Sequence, residues 1–250
     1  MHDNMPILLL FDAAPEFVLS AAGLEAAVGS KGSVKELSGG GIRKLEIVSD
    51  GLSFFISYHG AEKTASRLYN CDLSHVFTEQ PAYGLSAIGI AYGNHIIGGK
   101  HTKAINQAIL RLARNLGEYF SASTIIWLPA PVHCEFTFFK QITSQYEDGG
   151  PFPVLAQIAI SESFNNILIT SGLIYFAGQE IKLNTSKGYD PNAAMKTLVR
   201  IAHDIASNGK IDNFLITEGL TSGEIITFSP LENQNIVEIT ISEEEQKPPR

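Results

Sequence analysis

Two stretches of the chain, HTKAINQAILRLARNLGEYF (101–120) and DPNAAMKTLVRIAHDIASNG (190–209), space their apolar residues as amphipathic helices do. Ile105, Ala108, Ile109, Leu112, Leu116 and Tyr119 make one stripe in the first, with Lys103, Asn106, Arg114 and Glu118 off it. Ala194, Leu198, Ile201, Ala202 and Ile205 make the stripe of the second. It opens on Asp190 as N-cap, with Pro191 at the first helical position, and closes on Gly209. Each stripe has to be buried against another apolar surface, and the rest of the sequence offers strands for it.

PILLLFD (6–12) is a continuous apolar run and reads as a buried strand. A helix is expected over 14–29, with Phe17, Ala21, Leu24 and Val28 in register, Pro15 in its first turn and Gly29 as its stop. Residues 29–43 read as a glycine-rich, mobile connection. RKLEIVSD and LSFFISYHG flank Asp50-Gly51, a strong hairpin signal. GLSAIGIAYG (84–93) and STIIWLP (123–129) read as strands, and CEFTFFKQITSQYEDGG as a helix stopped by its glycine pair. FPVLAQIAIS (152–161) and ILITSGLIYF (167–176) read as strands around a turn at Asn165-Asn166, with GQEIKLNT extending or pairing with the second. GEIITFSP and IVEITIS are late strands, and residues 60–83 show no clear element.

Strands and helices alternate irregularly, with hairpins between them. The expected fold class is therefore α+β rather than a doubly wound parallel fold: two α/β sub-domains, with mixed or mostly antiparallel sheets covered by helices. Ferredoxin-like halves are one form of this. The expected division is 1–130 and 131–242, followed by a disordered acidic tail at 243–250.

The 250 residues are 44% apolar and 18% charged, with a formal net charge of −8. That composition supplies a sizeable core. An acidic chain repels a phosphate backbone, and only Arg111 and Arg114, with Lys100 and Lys103 upstream, approach a basic patch. No nucleic-acid partner is expected. Cys71 and Cys134, widely spaced, form neither a disulfide framework nor a zinc cluster. The N-terminal run is too short and lacks the basic residues of a signal peptide, and no run reaches the ~18 apolar residues of a membrane span. A cytoplasmic protein with no membrane partner is expected.

YGNHIIGGKHTKAI (92–105) sets glycines and a lysine between a strand and a helix. A P-loop would need glycine at Asn94 and serine or threonine at His101, so only Lys100 and His101 remain, as candidates for an anion at the helix start. GLSAIG (84–89) has one residue too many for a G-x-S-x-G elbow. The histidines show no pair at zinc-ligand spacing on a helix. His133 and Cys134 adjoin in IIWLPAPVHC (125–134), but neighbours diverge on a helix and point to opposite faces of a strand. A thiol dyad would need a histidine from elsewhere, His95 or His59. The stretch reads as a junction in which Pro129 and Pro131 end a strand and start a helix, with Trp127 packing the two halves together. Glu180 stands where a strand or turn leaves the core, flanked by apolar residues. The ligand-binding candidates are thus Trp127, His133, Cys134, Glu180, Lys100 and His101. No catalytic residue, metal or cofactor is expected.

The run from 152 to 209 opens a strand with Phe152-Pro153-Val154 and continues with Gly172, Leu173, Phe176, Gly178, Glu180 and Ile181. A helix ending Asn208-Gly209 follows. This pattern resembles the bacterial domain of unknown function 4261. LLLFDAAP near the start, and an alanine-containing helix before a strand ending Trp-Leu-Pro, share the family's look. The resemblance covers most of the chain and is specific over about 150–210. It implies a bacterial protein and brings no catalytic residue. After 209 the chain departs from the pattern, with a longer hairpin and an acidic tail.

Two functions are expected from these readings. One is a non-catalytic protein that binds a protein partner, of an accessory or immunity type. The other is a small-molecule binder or enzyme with a cleft between the two halves.

Overall fold

The computed structural model describes residues 4–12, 20–29, 32–37, 44–163, 166–186, 188–219, 223–231 and 235–243. The expected helix start at Pro15 and Phe17 and the acidic tail from 244 onward lie outside them. The fold is α+β, and the chain divides into two compact units, Met1–Ala156 and Gln157–Arg250.

The first unit runs β1 (Ile7–Phe11), α1 (Ala21–Val28), β2 (Gly32–Leu37), β3 (Lys44–Ser49), β4 (Leu52–His59), α2 (Ala61–Leu68), β5 (Ser74–Val76), β6 (Ser86–Tyr92), α3 (Lys103–Phe120), β7 (Thr124–Trp127), β8 (Val132–Glu135) and α4 (Phe136–Glu147). A short helix, α5 (Val154–Gln157), ends at the division. The second unit runs β9 (Ala159–Ser163), β10 (Ile167–Ser171), α6 (Ile174–Ala177), β11 (Glu180–Asn184), α7 (Pro191–Asn208), β12 (Leu215–Glu218), β13 (Glu224–Leu231) and β14 (Ile236–Glu243).

Among the described residues the first sheet has eight strands in the order β2-β3-β4-β6-β1-β7-β8-β5, antiparallel except where β5 lies parallel to β8. The run ILLLF becomes its central strand, buried at every position. Such a strand needs apolar cover on both faces. On one face Leu8, Leu10, Ala87 and Ile126 cluster with Leu68, the last residue of α2. The opposite face, which includes Ile7, Leu9, Ile90, Ile125 and Trp127, falls to α3 and α4. The two helices meet closely at Gly117, where a Cβ would collide with the ring of Phe136. Arg111 ties their solvent side together, donating to Glu147 at 2.8 Å and to Asp50 at 2.6 Å. Arg114 adds an ion pair with Glu147. The two arginines of the expected basic patch are therefore spent on carboxylates.

Asp50 and Gly51 take φ of 51° and 78° and join β3 to β4 as a tight hairpin, as their sequence signals. The expected mobile connection over 29–43 instead contains β2, paired along its length with β3. The division expected near residue 130 falls later, because β8 hydrogen-bonds to β7 and α4 packs on α3. The tract 60–83 holds α2 and β5. α2 buries only Thr64 and Leu68, one turn apart, a stripe too thin to show in a polar segment.

The second sheet has six strands among the described residues, in the order β12-β13-β14-β11-β10-β9, antiparallel except for the parallel pair β11 and β14. Here burial alternates. Ile226 and Phe228 of β13, Val237, Ile239 and Ile241 of β14 and Ile181 and Leu183 of β11 face inward. On the other face Lys182 and Asn184 bind Glu238 at 2.8 and 3.0 Å. α7 carries the matching apolar stripe, and Asp190 caps it by accepting from the Asn192 and Ala193 amides. Tyr189, just before that cap, donates to Glu224 on the buried face of β13 and ties the start of α7 to this face. Sheets of eight and six strands are larger than ferredoxin-like halves. The expected strands at 152–161 and 167–176 are each half helix, since α5 precedes β9 and α6 follows β10.

Candidate functional site

The sequence candidates separate in space and in role. Trp127 is 3% exposed and pairs across the sheet with Ile7 on one side and Val132 on the other. It is a core residue of the first unit. The segment from 125 to 134 is a strand, a turn at the prolines and a second strand, β8, rather than a strand entering a helix directly. His133 and Cys134 therefore point to opposite faces. Cys134 sits opposite Ile125 on the helix-covered face, and burial, with Glu135 adding to it, pushes its thiol up to about 12. A thiol held protonated is no nucleophile at neutral pH. His59, one of the two histidines considered as its partner, lies on β4, separated from β8 by β6, β1 and β7. His95 instead hydrogen-bonds Ser53 at 3.3 Å.

Lys100 ends a short 3-10 turn, Ile97–Gly99, and His101 is exposed just before α3. Thr102 is the helix N-cap but makes no side-chain capping bond. Glu180 opens β11, and its carboxylate accepts from the amides of Gly172, Leu173 and Ile174 at 2.7, 3.2 and 3.1 Å. Thr170 donates a fourth bond at 2.7 Å. Glu180 thus satisfies the open amides at the start of α6, a capping role that fills its lone pairs and leaves no vacant acceptor for a substrate.

Three features escaped sequence reading. The first is a histidine pair at the rim of the first sheet. β5 and β8 run parallel with His75 opposite His133, and their Nδ1 atoms are 3.1 Å apart. His133 is fully buried, and burial, with His75 beside it, drives its pKa down to about 4. His75 is exposed. No motif spacing could have found this pair, because 58 residues separate its members.

The second is a Ser57–His59 pair on β4, with Ser57 Oγ and His59 Nε2 at 2.8 Å. It resembles half of a nucleophile–base–acid relay. The orienting acid is missing: His59 Nδ1 is buried without a hydrogen-bond partner among the described residues. Burial, with Lys63 and Arg67 adding to it, pushes the imidazole down to about 4, far too weak for a general base. The pair reads as a packed core group lying over Gly89, whose missing side chain leaves room for His59 and Met5.

The third is the end of the second sheet at β12. Phe214, Leu215 and Ile216 are consecutive and 64%, 48% and 57% exposed, and all four residues of the strand are exposed. Among the described residues the strand pairs with β13 on one side only. Beside it lies a cleft of ≈ 430 Å³ lined by Gln179, Lys210, Asp212, Phe214, Ser229 and Asn235 among others. One wall is fixed by Gln179, whose side-chain amide exchanges two hydrogen bonds of 3.0 Å with the backbone of Ile211. An apolar run FLI between α7 and β13 was the available signal, since exposed edges of this kind mark interaction surfaces.

Among the described residues no group of three or more His, Cys, Asp or Glu is placed to hold a metal, and no helix is long and apolar enough to cross a membrane. Compared with known proteins, the chain matches no family model, no curated protein and no solved structure.

Proposed function

We propose that this is a non-catalytic protein-binding protein whose second unit takes up an extended segment of its partner along the free edge of β12. The contrast between sheet edges carries the reading. β2 guards its edge with Lys35 and Glu36, β9 with Glu162, and β5 is only three residues long. These are the usual means of keeping an edge from pairing. β12 is also short and ends on Glu218, but it alone of these edges presents consecutive exposed large apolar side chains, Leu215 and Ile216, on both faces. An added strand would gain backbone hydrogen bonds and cover Phe214, Leu215 and Ile216 together. Its chemistry follows from the surface it meets: apolar side chains on successive residues, and a basic residue near the exposed Glu218. A chain of net charge −8 favours a basic partner, as an accessory or immunity-type protein would. The resemblance over 150–210 adds a bacterial setting and no activity.

The test places a photo-crosslinking residue at Ile216 and, as a control, at Ile160 on β9, in the full chain inside cells. One defined protein trapped at 216 but not at 160, and lost with Phe214→Asp, supports the reading. No adduct at 216, from a chain that melts normally, refutes it. An adduct with a second copy would make the edge a dimer contact instead. A small-molecule screen by thermal shift covers the other reading, with its site moved from the expected cleft between the halves to the ≈ 430 Å³ cleft within the second unit.

A further inference from the structure

We propose that His75 and His133 form a two-histidine chelate for a borderline d-block cation of the Zn²⁺, Co²⁺ and Ni²⁺ class. Their Nδ1 atoms stand 3.1 Å apart. Two nitrogens bound to one metal at 2.0–2.1 Å are about 2.9 Å apart at a right angle and about 3.3 Å apart at a tetrahedral one, so the observed separation falls between them. Imidazole is the side chain best suited to these ions, and it binds as the neutral ring.

The pair is held before any ion arrives. His133 is fully buried on β8, between β7 and β5. β5 is pinned beside it by the parallel register and by the Ser74 amide, which donates to the Pro131 carbonyl at 2.9 Å. Just past β5, Phe77 turns with φ 54° and packs on Phe138 of α4, ring centroids 4.6 Å apart. Neither imidazole needs to search for the other. His75 is exposed, which gives an ion entry from solvent and leaves its remaining positions to water. With two protein ligands the site is weaker than a closed structural zinc centre. A shared proton between the rings accounts for the same distance and is the competing outcome.

The test uses the full chain, freed of metal by chelator, titrated with Co²⁺ and Zn²⁺ at pH 7.5. Calorimetry reads the binding, and cobalt absorption reads the ligand set. One equivalent should bind, and His75→Ala should weaken it at least tenfold without lowering the melting temperature, because His75 is a surface residue. His101→Ala, removing an exposed histidine elsewhere, should change nothing. Absence of binding overturns the proposal, as does binding that survives His75→Ala or is lost with His101→Ala. An Nδ1–H resonance bridging the two rings that persists in excess metal also overturns it.

Discussion

In β1 of the first unit every residue from Ile7 to Phe11 is buried, whereas in β11 of the second only Ile181 and Leu183 are, with Glu180, Lys182 and Asn184 half-exposed between them. Both are interior strands of their sheets. The difference is in cover. β1 has α2 on one side and α3 and α4 on the other, while β11 turns one face to the core and keeps a polar face of Lys182, Asn184 and Glu238. A strand covered twice is written as a continuous apolar run, and a strand covered once as an alternation. Around β1 the first sheet therefore has little surface to offer a partner, whereas the second has both a polar open face and an edge with exposed apolar side chains.

The sharpest way to break this comparison is to truncate neighbouring residues in each strand. Leu8→Ala and Leu9→Ala point to opposite faces, and each should cost about 3 kcal/mol, measured by denaturant unfolding. In β11, Ile181→Ala should cost a similar amount, but Lys182→Ala less than about 1 kcal/mol, because it removes a half-exposed ion pair. Equal losses at 181 and 182 would mean that both faces of the second sheet are covered.

Acid should separate the units next. Unfolded His59 takes up a proton near its ordinary 6.5, and folded His59 only near 4, because it is buried beside Lys63 and Arg67. Between those values the unfolded chain holds the extra proton, so stability falls as the pH drops from 6.5 toward 4. The loss from this group is on the order of 2–3 kcal/mol. His59→Gln should remove only part of that pH dependence, since His133, shifted the same way, supplies the rest, and the loss should appear in probes of the first unit, such as Trp127 fluorescence.

Glu180→Gln keeps the size of the side chain but removes the charge that three amides and Thr170 converge on, and should cost about 2 kcal/mol. A drop in melting temperature confined to the second unit would confirm the capping role. The smallest effect on stability belongs to β12. Phe214→Asp and Ile216→Lys should change the unfolding free energy by less than about 0.5 kcal/mol, because the side chains are already in water. A large loss there would show that β12 is a packed strand rather than an open one.

How much of this was legible follows the same division of signals. α7 was readable down to its caps, since Asp190, Pro191 and Gly209 each act locally. The Asp50-Gly51 hairpin was readable because its turn is a property of two residues. α2 and β5 were not: one buries two side chains, and the other is a strand only because β8 lies beside it. Among the candidate residues, the opposed faces of His133 and Cys134 were predictable from adjacency alone. The partner of His133 was not, because cross-strand register is set by the assembled sheet. Glu180 stood out correctly as an unusual carboxylate. Its role was hidden because the amides it caps precede it in the chain.

The parallel pairing of β5 with β8 also bears on how the chain is born. Among the described residues β5 has no strand neighbour but β8, which the ribosome makes roughly 55 residues later, about 3–11 s at ordinary rates of synthesis. β1 waits longer still for β7, and with β6 alone beside it leaves one flank of ILLLF unpaired. The nascent first unit is thus a sheet with an apolar open edge until α3 and β7 have emerged. Over that interval the exposed apolar edge is the part of the chain most prone to mispair.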